Sequence, residues 1–277
     1  MTAKALCVGI NKFANLPQAS WLNGCVNDAE DMAAMLLKRP DFGPNDVTVL
    51  LEAEATKAKV MAALTKLVKD DAVDHIVFSF SSHGTQVPDK NGDEKVDHVD
   101  EAFACYDIDQ SGRDWDRNTV IIDDELKTLF ASVGKNVLVE VVLDTCHSGT
   151  GLRSLDLLPG RRPRFLPPPT PLGIRALEPK SDPKGFQDEV KQIPAATRPV
   201  LFAACLAKQV ASDAPFGDHY NGAFTYYFLR ALKGADKTRA DVLEAVGKSL
   251  VAADFPQRPQ LEAVAKAKDV PFGTRWS

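Results

Sequence analysis

Short runs of consecutive apolar residues alternate along this chain with longer stretches in which apolar side chains return every three or four positions. Lys4–Ile10, Val47–Leu51, His75–Ser81, Asn136–Leu143 and Pro199–Cys205 are of the first kind and predict buried strands. The second kind starts at Asn27-Asp28, with Ala29, Met32, Ala33, Leu36 and Leu37 on one face. It returns with Val60, Ala63, Leu64 and Leu67, where Thr56 is placed to cap the helix. Asp123–Ser132, Gly222–Leu232 and Ala240–Leu250 predict further helices. Strands that are apolar throughout need cover on both faces. The pattern therefore predicts an α/β fold of three layers, with a mostly parallel central sheet and helices on both sides.

On such sheets ligands and catalytic groups collect beyond the carboxyl ends of the strands. Two chemistry-bearing motifs lie there: Ser82-His83-Gly84 after the third strand, and Asp144-Thr145-Cys146-His147-Ser148-Gly149 after the fourth. Between Pro159 and Pro199 stand 10 of the 18 prolines, which predicts a linker or surface loop over 153–198. The apolar pattern then resumes, so 1–152 and 199–277 are expected to form two parts of one domain.

Composition narrows the function classes. With 277 residues, 44% hydrophobic and 26% charged, the chain has an ordinary globular make-up. No apolar run nears the roughly 18 residues needed to span a bilayer, and residues 1–10 lack the regions of a signal peptide. A cytoplasmic protein without membrane contact is expected. Cys7, Cys25, Cys105, Cys146 and Cys205 are odd in number and include no CxxC pair, which argues against a disulfide framework. A net charge of −5 gives no case for nucleic acid. Its distribution is uneven: Asp89 to Glu125 carries 13 acids and 4 bases, a surface suited to cations or basic peptides.

A cysteine nucleophile needs a proton acceptor nearby and access to its substrate. Cys146 and His83, each at the tip of an apolar strand, meet the first requirement if the fold joins them, and the second if both tips are exposed. Cys7, Cys105 and Cys205 read as small buried hydrophobes. Spacing alone leaves a Cys/His enzyme and a structural histidine beside an inert thiol both open.

The segments Ser79–Gln86 and Leu143–Thr150 resemble the two catalytic motifs of metacaspases, caspase-like cysteine peptidases of clan CD and peptidase family C14. Gly24-Cys25-Val26-Asn27-Asp28-Ala29 is similar to an early motif of that family. Gly92-Asp93-Glu94, Asp100-Glu101 and Ile122–Leu126 are similar to its acidic middle, and Phe202–Ala211, Gly222–Tyr226 and Pro259–Leu261 to its smaller-subunit part. The resemblance implies a caspase-like fold and a cysteine endopeptidase. His83 would be general acid/base and Cys146 nucleophile, with the backbone amides of Gly84 and Cys146 as the oxyanion hole. Asp28 and Asp144, with Ser81 nearby, would line the primary specificity pocket. Paired carboxylates call for a guanidinium or ammonium, hence protein or peptide substrates cut after Arg or Lys. For Asp28 the alternative is a helix-terminal acid favoured by the dipole.

Chemistry of this kind requires no cofactor, but the resemblance raises calcium, with Asp100, Asp123 and Asp124 as candidate ligands. Arg153 stands where metacaspases often carry another aspartate, so calcium-independent activity is one expectation. Ser82 replaces a usual glycine, a small change. Asp107-x-Asp109-x-Ser111-Gly112 and Asp89-x-Asn91-x-Asp93 begin like calcium loops without completing one, and solvated acidic loops are the preferred reading. Arg153, Arg161, Arg162 and Arg164, in or beside the Pro-rich stretch, are candidate self-processing sites, the alternative being a basic solvated loop. A catalytically silent interaction module, an Asp-specific protease and a calcium sensor are the rival readings. A monomer of compact, prokaryotic type is expected.

Overall fold

The computed structural model describes residues 2–90, 99–146, 160–171, 185–234 and 237–276. Strand β1 (Ala3–Gly9) is the hub of the sheet, because its side chains serve two separate cores. Leu6 and Val8 point into one and Ala3, Ala5 and Cys7 into the other, as the two-residue period of a strand requires. Strands β2 (Val47–Leu51) and β3 (His75–Ser81) flank β1, both parallel to it. Beyond β3 lie β9 (Leu138–Asp144) and β11 (Val200–Ala203), again parallel, and the edge is closed by antiparallel β14 (Gln260–Glu262). The order is β14-β11-β9-β3-β1-β2, so strands from both ends of the chain share one sheet.

Helices α2 (Lys57–Val68), α3 (Asp123–Ala131) and α4 (Phe186–Gln192) cover the first core through Val60, Leu64, Leu126, Phe130 and Phe186. On the other face, α1 (Cys25–Leu36), α5 (Ala223–Ala231) and α6 (Arg239–Ala252) contribute Met32, Leu36, Phe224, Phe228, Val246 and Leu250. A four-residue helix, α7 (Ala265–Lys268), follows β14. This is the expected three-layer α/β architecture. Thr56 caps α2 by accepting from the Lys59 amide. Helix α1 starts two residues before the expected Asn27, because the Asn11 side chain accepts from the Cys25 amide at 2.7 Å and caps it from a distance.

Three smaller sheets decorate the carboxyl edge: β4 (Gly84–Pro88), β5 (Val99–Ala104) and β8 (Val120–Ile122); a hairpin of β6 (Gln110–Ser111) and β7 (Asp114–Trp115); and β10 (Arg162–Pro163), β12 (Ser212–Phe216) and β13 (His219–Gly222). The last corrects the expectation of a surface loop over the Pro-rich stretch. Its residues 162–163 add a strand to β12, Arg164, Phe165 and Leu166 are buried, and Phe186 opens a packed helix. Proline content predicted irregular backbone. It could not show that one basic residue in this stretch has a buried acidic destination.

Candidate active site

Registers at the carboxyl edge bring the predicted motifs together. Strands β3 and β9 are neighbours, with Ser81 paired to Asp144, so the chain leaves the sheet at adjacent points toward His83 and Cys146. His83 is stacked on Phe13 at 5.4 Å, and its Nε2 lies 2.7 Å from the Ser20 carbonyl oxygen. A carbonyl can only accept, so Nε2 carries the proton and Nδ1 keeps its lone pair. Nδ1 is buried without a hydrogen-bond partner among the described residues. Burial lowers the His83 pKa to about 4, against the pull of the Ser20 carbonyl, so the ring is neutral at ordinary pH.

Cys146 is 1% exposed, which corrects the expectation of an open strand tip. The cover is the chain itself. The Arg164 carbonyl oxygen accepts from the Gly84 amide at 2.9 Å and from the Cys146 amide at 3.3 Å. On one side of that carbonyl the Arg164 amide donates to Ala211 O at 2.9 Å, and Arg162 and Pro163 pair with Asp213 and Ser212. On the other, the Leu166 amide donates to Gly84 O, and the Thr85 hydroxyl donates to Leu166 O at 2.6 Å. Residues 162–166 thus pass through the cleft, bending at Arg164, with one peptide carbonyl in the two-amide cradle.

The Arg164 side chain drops into a pocket of three carboxylates and is fully buried there. Nη2 lies 2.7 Å from Asp28 and 3.1 Å from Asp213, and Nη1 lies 3.3 Å from Asp144. Nη1 also donates to the Asp144 backbone oxygen at 3.1 Å. Each acid is anchored from behind. Asp28 accepts from the Gly222 amide and the Asn221 side chain, Asp144 from the Thr225 amide and hydroxyl, and Asp213 from the Asn23 and Gly24 amides. Gly222 is obligatory at this wall, since a Cβ there would overlap Asp144 Oδ2 and Arg164 Nη1. Burial above all, and then the Asp144 charge, raise the Asp28 carboxyl to about 7, although Arg164 pulls it down. Ser81, the other predicted pocket residue, is buried at the end of β3 beside Asp144.

Asp213 and Arg164's role as a buried cation were missed from sequence. Asp213 falls on a two-sided hairpin strand with no apolar period, although it lies just past the Phe202–Ala211 segment that marked this region. Cys205 is also more than core filler. A hydrogen bond with the Cys146 thiol, then burial, push its own thiol well up. Its Sγ donates to Gln209 O at 3.5 Å and faces Thr145 O at 3.8 Å.

The other basic candidates are held outside the acidic pocket. Arg162 donates to Trp21 O at 2.7 Å, and Arg161 donates to Ala253 O and Asp254 O. Arg153 lies outside the described residues.

Asp100, Asp123 and Asp124 do meet, with one oxygen from each lying within 4.8 Å of the others. Burial first, then neighbouring acids, raise Asp123 well above the carboxylate range. Burial raises Asp100 to about 6 although Arg117 sits 2.7 Å from it. The incomplete loop at Asp107 and Asp109 has a local duty: these side chains accept from the Lys57 and Gln110 amides and support the β6–β7 hairpin. The stretch beginning at Asp89 falls mostly outside the described residues.

Residues 3–155 match the family described as Metacaspase, peptidase C14 domain. The chain belongs to that family. Metacaspase-1A of Aspergillus fumigatus is 27% identical over 294 residues, covering 93% of this chain and 68% of its own length. Metacaspase-1 of Cryptococcus neoformans is 25% identical, covering 94% of this chain and 62% of its own. Among solved structures, a Geobacter sulfurreducens protein superposes with a TM-score of 0.71 at 29% identity, each chain covered over 100% of its length. Caspase-1 of Spodoptera frugiperda superposes at 0.57 and 12% identity over 95% of this chain and 86% of its own, a likeness of fold. Membership makes this metacaspase a cysteine-type peptidase, whose substrates are proteins or peptides. No described helix is long and apolar enough to cross a membrane.

Proposed function

We propose that this metacaspase is an endopeptidase that cleaves after Arg or Lys through Cys146 and His83, and that the Arg164–Phe165 bond is its first substrate. One observation carries the reading: the same residue offers its carbonyl to the Gly84 and Cys146 amides and its guanidinium to Asp28, Asp144 and Asp213. A guanidinium fork suits several carboxylates at once. Lysine, a point charge, fits the same pocket with fewer bonds.

The chemistry follows from the hydrogen bonds. Ser20 holds the proton on Nε2, which leaves Nδ1 to take the thiol proton of Cys146. The thiolate attacks the arginyl carbonyl, an S–C bond forms, and negative charge moves onto the oxygen held by the two amides, where such donors are worth about 3–4 kcal/mol each. Collapse breaks the C–N bond, and His83 returns the proton to the departing Phe165 nitrogen. Water, activated by the same ring, then hydrolyses the thioester. Because the cleft is filled from within, cleavage after Arg164 both uses and vacates the site. Arg161 and Arg162 are bound as its upstream neighbours and are not themselves cut.

For calcium, the donor set fits: three oxygen-bearing side chains meet, and burial first, then neighbouring acids, raise Asp100 and Asp123. Asp100, Asp123 and Asp124 would hold the ion, with Arg117 as its competitor for Asp100. Bound there, it would neutralise β5 and α3 at the base of the cleft wall.

The test is incubation of the unmodified chain and a Cys146→Ala variant, with calcium or with chelator, followed by mass spectrometry. Scaled from 30.1 kDa, cleavage after Arg164 gives fragments of about 18 and about 12 kDa. The variant should stay whole, a loss of more than about a thousandfold in rate. Cutting at another residue would overturn the Arg164 assignment. An intact chain that also leaves arginyl peptides untouched under both conditions would favour the silent interaction module.

A further inference from the structure

Upstream of Arg164, the side chain of Arg161 occupies a second cation site that the peptidase chemistry does not use. Its guanidinium carbon lies over the Phe255 ring, 3.8 Å from the centroid. Nη1 donates to Asp254 O at 2.8 Å and Nη2 to Ala253 O at 3.0 Å. Both carbonyls belong to the end of α6, where the helix dipole places partial negative charge. Phe255 is itself packed against Phe216 and Tyr227, which fixes the ring face.

The backbone that aims these carbonyls turns left-handed. Asp254 sits at φ +56, in the left-handed region that glycine enters freely and that aspartate and asparagine enter more readily than other residues. The Phe255 amide returns to Leu250 O at 2.9 Å, closing the helix end. An acid kept where glycine is the favoured residue adds a formal negative charge beside the guanidinium.

We infer that Phe255, Asp254 and the carbonyl end of α6 form a subsite selecting arginine three residues before the cleaved arginine, so that the substrates are basic segments of the pattern Arg-x-x-Arg. The inference rests on the peptidase reading above, since Arg161 marks the subsite only if Arg164 marks the scissile position. Arginine is preferred over lysine here. A planar cation can stack on the ring while donating to two carbonyls, whereas an ammonium gains only part of either.

The experiment compares fluorogenic peptides Xaa-Ala-Pro-Arg, with Xaa as Arg, Lys or Leu, cleaved by the full-length protein. We expect kcat/KM for Arg to exceed that for Leu about tenfold, with Lys between them. In Phe255→Leu the ratio of Arg to Leu should fall to about two, and in Asp254→Asn, which tolerates the left-handed backbone, by about two- to threefold. Equal cleavage of the Arg and Leu peptides by the unmodified protein overturns the subsite and leaves the peptidase standing. A preference that survives both substitutions overturns its assignment to these residues. Failure to cleave any of the three removes the peptidase reading first, and the subsite with it.

Discussion

Arg164 and Arg239 are both fully buried, yet their surroundings differ in kind. Arg239, at the start of α6, engages all three of its guanidinium nitrogens. Nε reaches Glu140 at 2.8 Å, Nη1 donates to Ala267 O and Nη2 to Thr274 O. Its one counter-charge, Glu140, is also bound by His75 and by the Gly273 amide. Burial pushes that carboxyl up, but His75 and Arg239 outweigh it and hold it below the ordinary range. Among the described residues Arg164 meets three carboxylates and one backbone oxygen, and its Nε has no partner. One site balances its charge and clamps the side chain with the main-chain oxygens of Ala267, Val270 and Thr274. The other sets three carboxyl groups around one guanidinium and closes around a residue delivered from outside the sheet. A built-in arginine and a bound one can therefore be told apart by what neutralises them: mostly backbone carbonyls in the first case, surplus carboxylates in the second.

Stability is where this contrast should be largest. Arg239→Leu strands Glu140 in the interior and should cost about 3–5 kcal/mol of unfolding free energy. Arg164→Ala should cost less than half as much, because its pocket can admit water once the segment lifts away. Chemical denaturation of both variants measures the gap, and equal losses would break the distinction.

A sharper probe acts on the pocket without touching the guest. Asp213→Asn removes one charge facing the guanidinium and keeps an oxygen for one of the two amides, since Asn23 donates to Oδ2 and Gly24 to Oδ1. We expect kcat/KM toward arginyl peptides to fall by about 2 kcal/mol, near thirtyfold, mostly through KM. Steady-state kinetics check this, and an unchanged KM would mean that two acids suffice.

The smallest effect is a pH dependence. With the Arg164 guanidinium in place Asp28 is raised to about 7, so lowering the pH through 7 protonates it and loosens its hold on an arginine. Activity toward arginyl peptides should therefore drop by up to about tenfold per pH unit below 7, and this limb should vanish in Asp28→Asn. Asp28's contribution to stability has the opposite sign. Its folded pKa lies above the free value of 3.8, so stability is gained as pH falls from 7 toward 4 and lost on the way back up. A pH series of kinetics and melting in the two proteins separates these effects.

Much of this was legible in the residues. Apolar strands and period-3.6 helices announced the layered sheet, and motifs ending on two of those strands located His83 and Cys146 at its working edge. Asp28 and Asp144 could be placed through the resemblance, because each sits in a motif tied to a regular element. Asp213 and the destination of Arg164 could not. Their pairing joins a Pro-rich segment to a hairpin far along the chain, and long-range charge complementarity leaves no period in the sequence. Exposure of Cys146 was misjudged for the same reason: a strand tip is open only if nothing else in the chain is built to lie across it.

The continuous peptide through the cleft also sets a clock. A carbonyl seated between two amides of its own chain meets the nucleophile as a tethered reactant, at an effective concentration on the order of millimolar or above. On the proposed reading its cleavage would be first order, with the same half-time in a dilute solution as in a crowded one. Outside peptides at micromolar levels have to wait their turn. The lag before they are cut should therefore be a property of the molecule, not of how many molecules are present.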